Sequence, residues 1–134
     1  MDKKVLILCT GNSCRSIIAE AQINAFVKGA VSDSSGVKAS GKVNPNAKKL
    51  LEQKGIWKEK YHSKTIDRVI ENHYDLVVTV CDNANETCPM FSNATKVVHI
   101  SFEDPDGKGF DAFEDTYKEI LETLIPQVKV ELNL

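Results

Sequence analysis

Short apolar runs are the feature of this sequence that most constrains its fold. They lie at residues 5–8, 74–80 and 97–100, and residues 30–35 predict a further short strand. Continuous apolar runs of this length are typical of strands that are buried on both faces. The sequence therefore predicts a sheet covered on each side.

Helical patterns occupy the segments between these strands. They are predicted at 16–28, from Asn44 to Gly55, from Ser63 to Ile70, and at 113–125. Asn44 suits the N-cap and Pro45 the first position of the second helix. Pro126 is expected to end or kink the last one, because proline lacks a backbone donor.

Strands and helices alternate along all 134 residues. This order predicts an α/β fold, a three-layer sandwich with a four-stranded parallel sheet flanked by helices. One domain spanning residues 1–134 is expected at this length. Ligands of such folds bind at the carboxyl ends of the strands, where the candidate residues discussed below fall.

The charge balance excludes several classes of partner. Seventeen basic and nineteen acidic residues give a net charge of −2, which leaves no basic surplus for nucleic acid. No apolar run approaches the roughly 20 residues of a membrane helix. The apolar stretch near the N-terminus is about five residues, shorter than the roughly 7–15 of a signal peptide. We expect a cytoplasmic monomer.

The segment after the first strand carries the strongest functional signal. It reads Cys9-Thr10-Gly11-Asn12-Ser13-Cys14-Arg15-Ser16. Gly11 and Asn12 can adopt positive φ, so the loop can turn its N–H groups inward as an anion nest at a helix N-terminus. The planar guanidinium of Arg15 can bind two oxygens of a tetrahedral oxyanion.

Cys9 lies at the base of this predicted nest. The same N–H groups would stabilise its thiolate and lower its pKa to roughly 3.5–7.5, and Ser16 could add a hydroxyl hydrogen bond. The alternative is that Cys9 is a small core residue and Arg15 a solvated one. The context of strand, turn and helix favours the catalytic hypothesis.

A carboxyl group follows the fourth strand, where a general acid is needed. Asp104 precedes Pro105, which favours an extended conformation, and it could protonate the oxygen that leaves the oxyanion. The alternative is an ordinary Asp-Pro turn. Glu103 and Asp106 are interpreted as solvated.

A second pair of cysteines, Cys81 and Cys88, follows the third strand. One hypothesis is zinc binding, but six intervening residues exceed the two to four or so of a knuckle. Buried inert thiols are another. The favoured hypothesis is a relay in which Cys81 attacks a Cys9 adduct and Cys88 then attacks Cys81. Cys14 is interpreted as a structural part of the loop. His62, His73 and His99, the other possible zinc ligands, are interpreted as ordinary polar residues.

Together these residues resemble the thioredoxin-coupled arsenate reductases, which share the fold of low-molecular-weight protein tyrosine phosphatases. The resemblance spans nearly the whole chain. It rests on the 9–16 loop and on Ser34-Ser35-Gly36, Val43-Asn44-Pro45, the strand ending in Cys81, Cys88-Pro89 and Asp104-Pro105-Asp106-Gly107. The loop and the acid are common to both families, whereas the Cys81/Cys88 pair is similar to the reductases.

The resemblance implies a mechanism. Cys9 attacks arsenate held by the loop and Arg15, Asp104 assists loss of water, and Cys81 then releases arsenite. Cys88 completes a redox-active Cys81–Cys88 disulfide, which thioredoxin reduces; phosphate and sulfate would compete as oxyanions. The alternative function is a phosphatase that forms a cysteinyl-phosphate intermediate on Cys9.

The resemblance implies no tightly bound cofactor. Some such reductases hold a potassium ion beside the loop, and the matching ligands here are Asn12, Glu20 and Ser34. The acidic fourth ligand falls at Thr65, so potassium is kept as an optional ion.

Overall fold

The computed structural model describes residues 2–69, 72–80 and 96–134. Its strands are β1 (Lys3–Cys9), β2 (Ala30–Gly36), β3 (Leu76–Thr79) and β4 (Val97–His99). Its helices are α1 (Arg15–Phe26), α2 (Pro45–Gln53) and α3 (Phe110–Leu132), with a 3₁₀ turn at Ile66–Arg68. The predicted α/β fold with a four-stranded parallel sheet is confirmed.

The four strands form one sheet in the order β2-β1-β3-β4, and every pair is parallel. Leu8 pairs with Ser35 on one side and with Thr79 on the other, and Thr79 pairs with His99. The carboxyl ends of the four strands therefore meet at one edge of the sheet. Cys9, the last residue of β1, lies near the middle of that edge.

The core explains why β1 consists of apolar residues. Val5 to Leu8 are fully buried, so side chains on both faces of the strand are covered, as the continuous apolar run predicted. Helix α1 packs on β1 and β2, and α3 packs on α1 and α2. The buried side chains of α3 include Phe113, Ile120 and Leu124.

Helix α2 begins as predicted. The side chain of Asn44 accepts a hydrogen bond from the backbone N–H of Asn46 at 2.9 Å, and Pro45 is the first helical residue. Gly55 follows the helix with φ of 74°, a conformation that favours glycine. The N-terminus of α2 is thereby fixed against the loop that follows β1, because Asn44 N donates to Ser13 O at 2.8 Å.

One predicted helix is wrong and one predicted helix end is not found, while a kink at Pro126 stays a prediction. The helix predicted from Ser63 is only the 3₁₀ turn at Ile66–Arg68, since the Ser63 hydroxyl donates to Gly11 O at 3.1 Å instead of capping a helix. The last helix does not end at Pro126 but continues to Leu132. Its residues after Pro126 are held by packing, because Val128 and Leu132 are buried. None of the helices in the described ranges is long and apolar enough to cross a membrane.

Candidate active site

The loop that joins β1 to α1 contains the five residues between Cys9 and Arg15. Asn12 has a φ of 49°, whereas Gly11 does not adopt positive φ, so only one of the two predicted turn residues uses that conformation. Helix α1 begins without a side-chain cap and has no acidic residue in its first turn. The free backbone N–H groups at the start of α1 and the positive end of its dipole therefore face the loop, where they can bind an anion.

Cys9 lies at the base of this loop and is buried. The backbone N–H of Asn12 donates to its Sγ at 3.2 Å, and the Oγ of Ser16 lies 3.0 Å from the same sulfur. Donors directed at a sulfur favour its thiolate form, which is the nucleophilic one. The structure thus places Ser16 where the sequence predicted it.

Asn12 is the hub of a buried network behind the loop. Its Nδ2 donates to Ser16 Oγ at 2.8 Å and to Ser34 Oγ at 2.9 Å, and its Oδ1 accepts from Lys64 N at 2.8 Å. These bonds explain why an asparagine tolerates positive φ here. They also hold the N–H that points at Cys9.

The segment after β2 supports the loop along its length. Four of its backbone N–H groups, those of residues 37, 38, 40 and 44, donate to the carbonyl oxygens of residues 9, 10, 11 and 13 at 2.8–3.1 Å. Gly36 lets the two segments approach: a Cβ there would lie 2.6 Å from the carbonyl oxygen of Thr10. Any side chain at this position would displace the loop.

Arg15 reaches across to the segment that follows β4. Its Nη1 donates to Phe102 O at 3.1 Å, and its Nη2 lies 3.5 Å from Asp104 Oδ2. Its Nε is buried and has no hydrogen-bond partner in the described part of the chain. A buried guanidinium donor without a partner is costly, and an oxyanion bound in the loop would satisfy it.

Asp104 lies at the same place, as the sequence predicted. Its side chain is about half exposed, and its Oδ1 accepts from Asp106 N at 3.0 Å and from Cys14 Sγ at 3.5 Å. Burial and the nearby Asp104 carboxylate raise the pKa of Cys14 to about 12. Cys14 is therefore a thiol that donates to the acid, which agrees with its predicted structural role.

The candidate potassium ligands also come together. Ser34 Oγ donates to Glu20 Oε1 at 2.6 Å, and both residues are buried next to Asn12. Burial raises the pKa of Glu20 to about 7, against the lowering effects of Ser34 and Lys64. The three side chains therefore lie together behind the loop, and a potassium ion beside them stays a prediction.

Cys81 and Cys88 lie outside the described residues, so their predicted relay is not tested by geometry. The chain that leads to Cys81 runs beside the nucleophile strand, because Val80 N donates to Leu8 O at 2.9 Å. Among the described residues no group of three or more His, Cys, Asp or Glu side chains could hold a metal ion.

Sequence reasoning missed two supports of the loop. The Ser63 hydroxyl bonds Gly11 O, and Lys64 N bonds Asn12 Oδ1, across more than fifty residues. Neither contact has a local signal in the sequence, since both depend on tertiary proximity.

Comparison with known proteins gives consistent results. The family model described as low molecular weight phosphotyrosine protein phosphatase matches residues 4–133. The chain is 40% identical to an arsenate reductase of Brevibacillus brevis over 119 residues, which are 88% of each protein.

Solved structures show the same fold. An arsenate reductase of Archaeoglobus fulgidus superposes with a TM-score of 0.77 at 34% identity, covering 88% of this chain and 93% of that one. A structure described as an arsenate reductase in the phosphate binding state gives a TM-score of 0.76 at 29% identity. The superposition covers 93% of this chain and 98% of the chain in that structure.

Proposed function

Because this chain belongs to the low molecular weight phosphotyrosine protein phosphatase family, we propose that it uses the family's oxyanion loop to reduce arsenate to arsenite. Curated relatives that are about 40% identical, and are matched over most of their length, are named arsenate reductase. The single observation that carries the proposal is the pairing at the loop. The sulfur of Cys9 accepts a hydrogen bond from a backbone N–H. The buried Nε of Arg15 has no hydrogen-bond partner among the described residues.

The first step is substitution at arsenic. Arsenate binds in the loop with its oxygens on the N–H groups of the α1 N-terminus and on Arg15. The Cys9 thiolate attacks arsenic, and one oxygen leaves as water with a proton from Asp104. The product is a thioester of arsenic(V) on Cys9. A relative described as an arsenate reductase in the phosphate binding state supports the binding of a tetrahedral oxyanion by this fold.

The second step is the reduction, and it needs a second thiol. Cys81 attacks the sulfur of Cys9, the sulfur–arsenic bond breaks, and its electron pair stays on arsenic, which leaves as arsenite. The Cys9–Cys81 disulfide is then attacked at Cys81 by Cys88. Cys9 is restored as a thiolate. The two electrons given to arsenic come from the oxidation of Cys81 and Cys88 to their disulfide.

The third step returns two electrons to the enzyme. A thioredoxin dithiol attacks the Cys81–Cys88 disulfide, both enzyme thiols are regenerated, and thioredoxin becomes the disulfide. Phosphate and sulfate share the tetrahedral shape and negative charge of arsenate. They are therefore expected to compete for the loop.

The test is steady-state arsenate reduction coupled to thioredoxin, thioredoxin reductase and NADPH. Wild type should turn over, whereas Cys88→Ser should release at most one arsenite per chain and stop as the Cys9–Cys81 disulfide. Cys14→Ser is the matched control, since Cys14 lies outside the relay: it should turn over repeatedly, at a lower rate because Cys14 contacts Asp104. Multiple turnovers by Cys88→Ser would exclude the three-cysteine relay.

A phosphatase is the second candidate, favoured by the shared set of Cys9, Arg15 and Asp104. These residues suffice to form and hydrolyse a cysteinyl-phosphate, and a weak phosphatase activity is expected beside the reductase. Hydrolysis of para-nitrophenyl phosphate without any arsenate reduction by wild type would make the phosphatase the main function.

A further inference from the structure

The charges of this chain are strongly segregated beside the candidate active site. Residues 38–64 contain eight lysines and two glutamates, a net charge of +6, while the remaining residues carry nine basic and seventeen acidic groups, a net charge of −8. Segment 103–122 alone carries eight carboxylates and two lysines. An overall charge of −2 therefore conceals one strongly basic segment, residues 38–64, named here the lysine surface.

The lysine surface is attached to the oxyanion loop through its backbone. Lys38 N donates to Thr10 O at 2.9 Å, Lys64 N donates to Asn12 Oδ1 at 2.8 Å, and Lys42 lies between two further backbone contacts with the loop. Lys38 and Lys42 are exposed. Both residues are therefore held beside the loop, and charges act over about 8 Å at physiological salt.

These lysines keep their charge available. Within the described ranges, no lysine of the surface forms an ion pair with a carboxylate, in contrast to Lys96 and Lys108 elsewhere. Lys48 is held over the ring of Trp57 at 5.5 Å from its centroid, and Lys60 over Tyr61 at 5.9 Å. Contact with a ring face orients an ammonium group without neutralising it.

We propose that the lysine surface draws the tetrahedral oxyanion to the mouth of the loop and does not retain the reduced product. This inference rests on the proposed function. Arsenate is an anion at neutral pH, whereas arsenous acid is uncharged. A field of one sign beside a cleft raises the local concentration of the opposite charge, and it exerts no net pull on a neutral molecule.

The experiment compares two alkylating agents of similar size at Cys9. Iodoacetate is an anion and iodoacetamide is neutral, so the ratio of their rates reports the potential at the thiol while cancelling its reactivity. The rates are read by mass spectrometry of the Cys9 peptide in wild type, in Lys38→Gln/Lys42→Gln, and in the matched control Lys118→Gln/Lys129→Gln, whose lysines are exposed on α3.

The loss of Lys38 and Lys42 should lower the iodoacetate to iodoacetamide ratio by about three-fold at low ionic strength, and the control should leave it nearly unchanged. Raising choline chloride from about 0.02 M to about 0.3 M shortens the screening length from roughly 20 Å to roughly 6 Å and should erase the difference. A ratio that is equal in all three proteins, or that is insensitive to salt, would overturn the proposal.

A second readout separates this inference from the proposed function. Phosphate should protect Cys9 from neutral iodoacetamide in all three proteins, with a weaker apparent affinity in Lys38→Gln/Lys42→Gln only. Protection with equal affinities would refute the role of the lysine surface and leave the loop as an oxyanion site. Absence of protection in wild type would refute the oxyanion site itself, and with it the proposal that the lysine surface draws an oxyanion there.

Discussion

Arg15 and Asp104 contact each other across the mouth of the oxyanion loop, with Nη2 of the arginine 3.5 Å from Oδ2 of the aspartate. In the proposed mechanism the same arginine binds the oxyanion, and the same aspartate protonates the leaving oxygen. An oxyanion bound in the loop would compete with Asp104 for Arg15. Its binding would therefore free the carboxyl group at the place where the proton is needed.

Replacing Arg15 with lysine tests whether the planar guanidinium is needed in addition to its positive charge. Arg15→Lys keeps the positive charge but cannot bond two oxygens of the oxyanion and Phe102 O together. We expect kcat/KM for arsenate to fall by about 100-fold or more, which corresponds to the loss of charge-assisted hydrogen bonds worth about 3 kcal/mol. Thermal unfolding of the variant serves as the control for folding. Activity within a few-fold of wild type would mean that charge alone suffices.

Replacing Asp104 with asparagine tests its role as the acid. With phosphate esters as substrates, Asp104→Asn should lose about 100-fold or more for phenyl phosphate, whose leaving group needs a proton. The loss for para-nitrophenyl phosphate should be much smaller, because nitrophenolate leaves without one. Asp106→Asn is the matched control, and it should affect both substrates alike. Equal losses for both substrates in Asp104→Asn would argue against proton donation.

Removing the Asn12 side chain should destabilise the fold as well as the site. Asn12→Ala leaves Lys64 N without its acceptor and removes one hydrogen bond each from Ser16 Oγ and Ser34 Oγ, so we expect a loss of about 2–3 kcal/mol in the free energy of unfolding. Asn46→Ala on the surface of α2 should cost far less. Urea unfolding followed by Trp57 fluorescence measures both. Similar losses in the two variants would show that the network adds little stability.

Glu20 should make stability depend on pH near neutrality. Its pKa is raised from 4.5 to about 7 in the folded protein, so the folded state binds its proton more tightly than the unfolded chain. Stability is then full below about pH 4.5 and falls as the pH rises through 7. Glu20→Gln has no carboxyl group to ionise at this buried position, so it should be more stable than wild type by up to about 3 kcal/mol at pH 8.

At pH 5 the two proteins should differ little, because Glu20 is then mostly protonated in the folded state. Urea unfolding of both proteins at pH 5, 6.5 and 8 measures the difference. A gap that does not widen with pH would contradict a raised pKa for this carboxyl.

Cys14 should be an unreactive thiol beside a reactive one. With a pKa of about 12, it carries very little thiolate at pH 8, whereas the sulfur of Cys9 accepts a backbone N–H. Iodoacetamide should therefore label Cys9 and spare Cys14 in the folded protein, as judged by peptide mass. Denatured protein, in which both cysteines should be labelled, is the control. Equal labelling of the two in the folded state would contradict this assignment.

The sequence predicted the parts of this molecule whose signals are local. The apolar run that became β1, the Asn44-Pro45 start of α2 and the grouping of Cys9, Arg15 and Asp104 all follow from short patterns and from the rule on strand ends. Ser63 was misassigned as a helix cap because its real partner, Gly11 O, lies 52 residues away. Of the two outcomes predicted at Pro126, an end or a kink, the end does not occur, because burial of Val128 and Leu132 offsets the proline penalty of about 3 kcal/mol.

The backbone bonds between the oxyanion loop and residues 37–44 have a consequence for how the site comes into being. A nascent chain that has delivered only β1 and α1 holds Cys9 and Arg15 but lacks the backbone donors of residues 37–44 that support the loop between them. The loop can take its form only when β2 has paired with β1 and the following segment has closed over it. A synthetic peptide of residues 1–28 should consequently bind no phosphate, and oxyanion binding should appear during refolding together with the sheet.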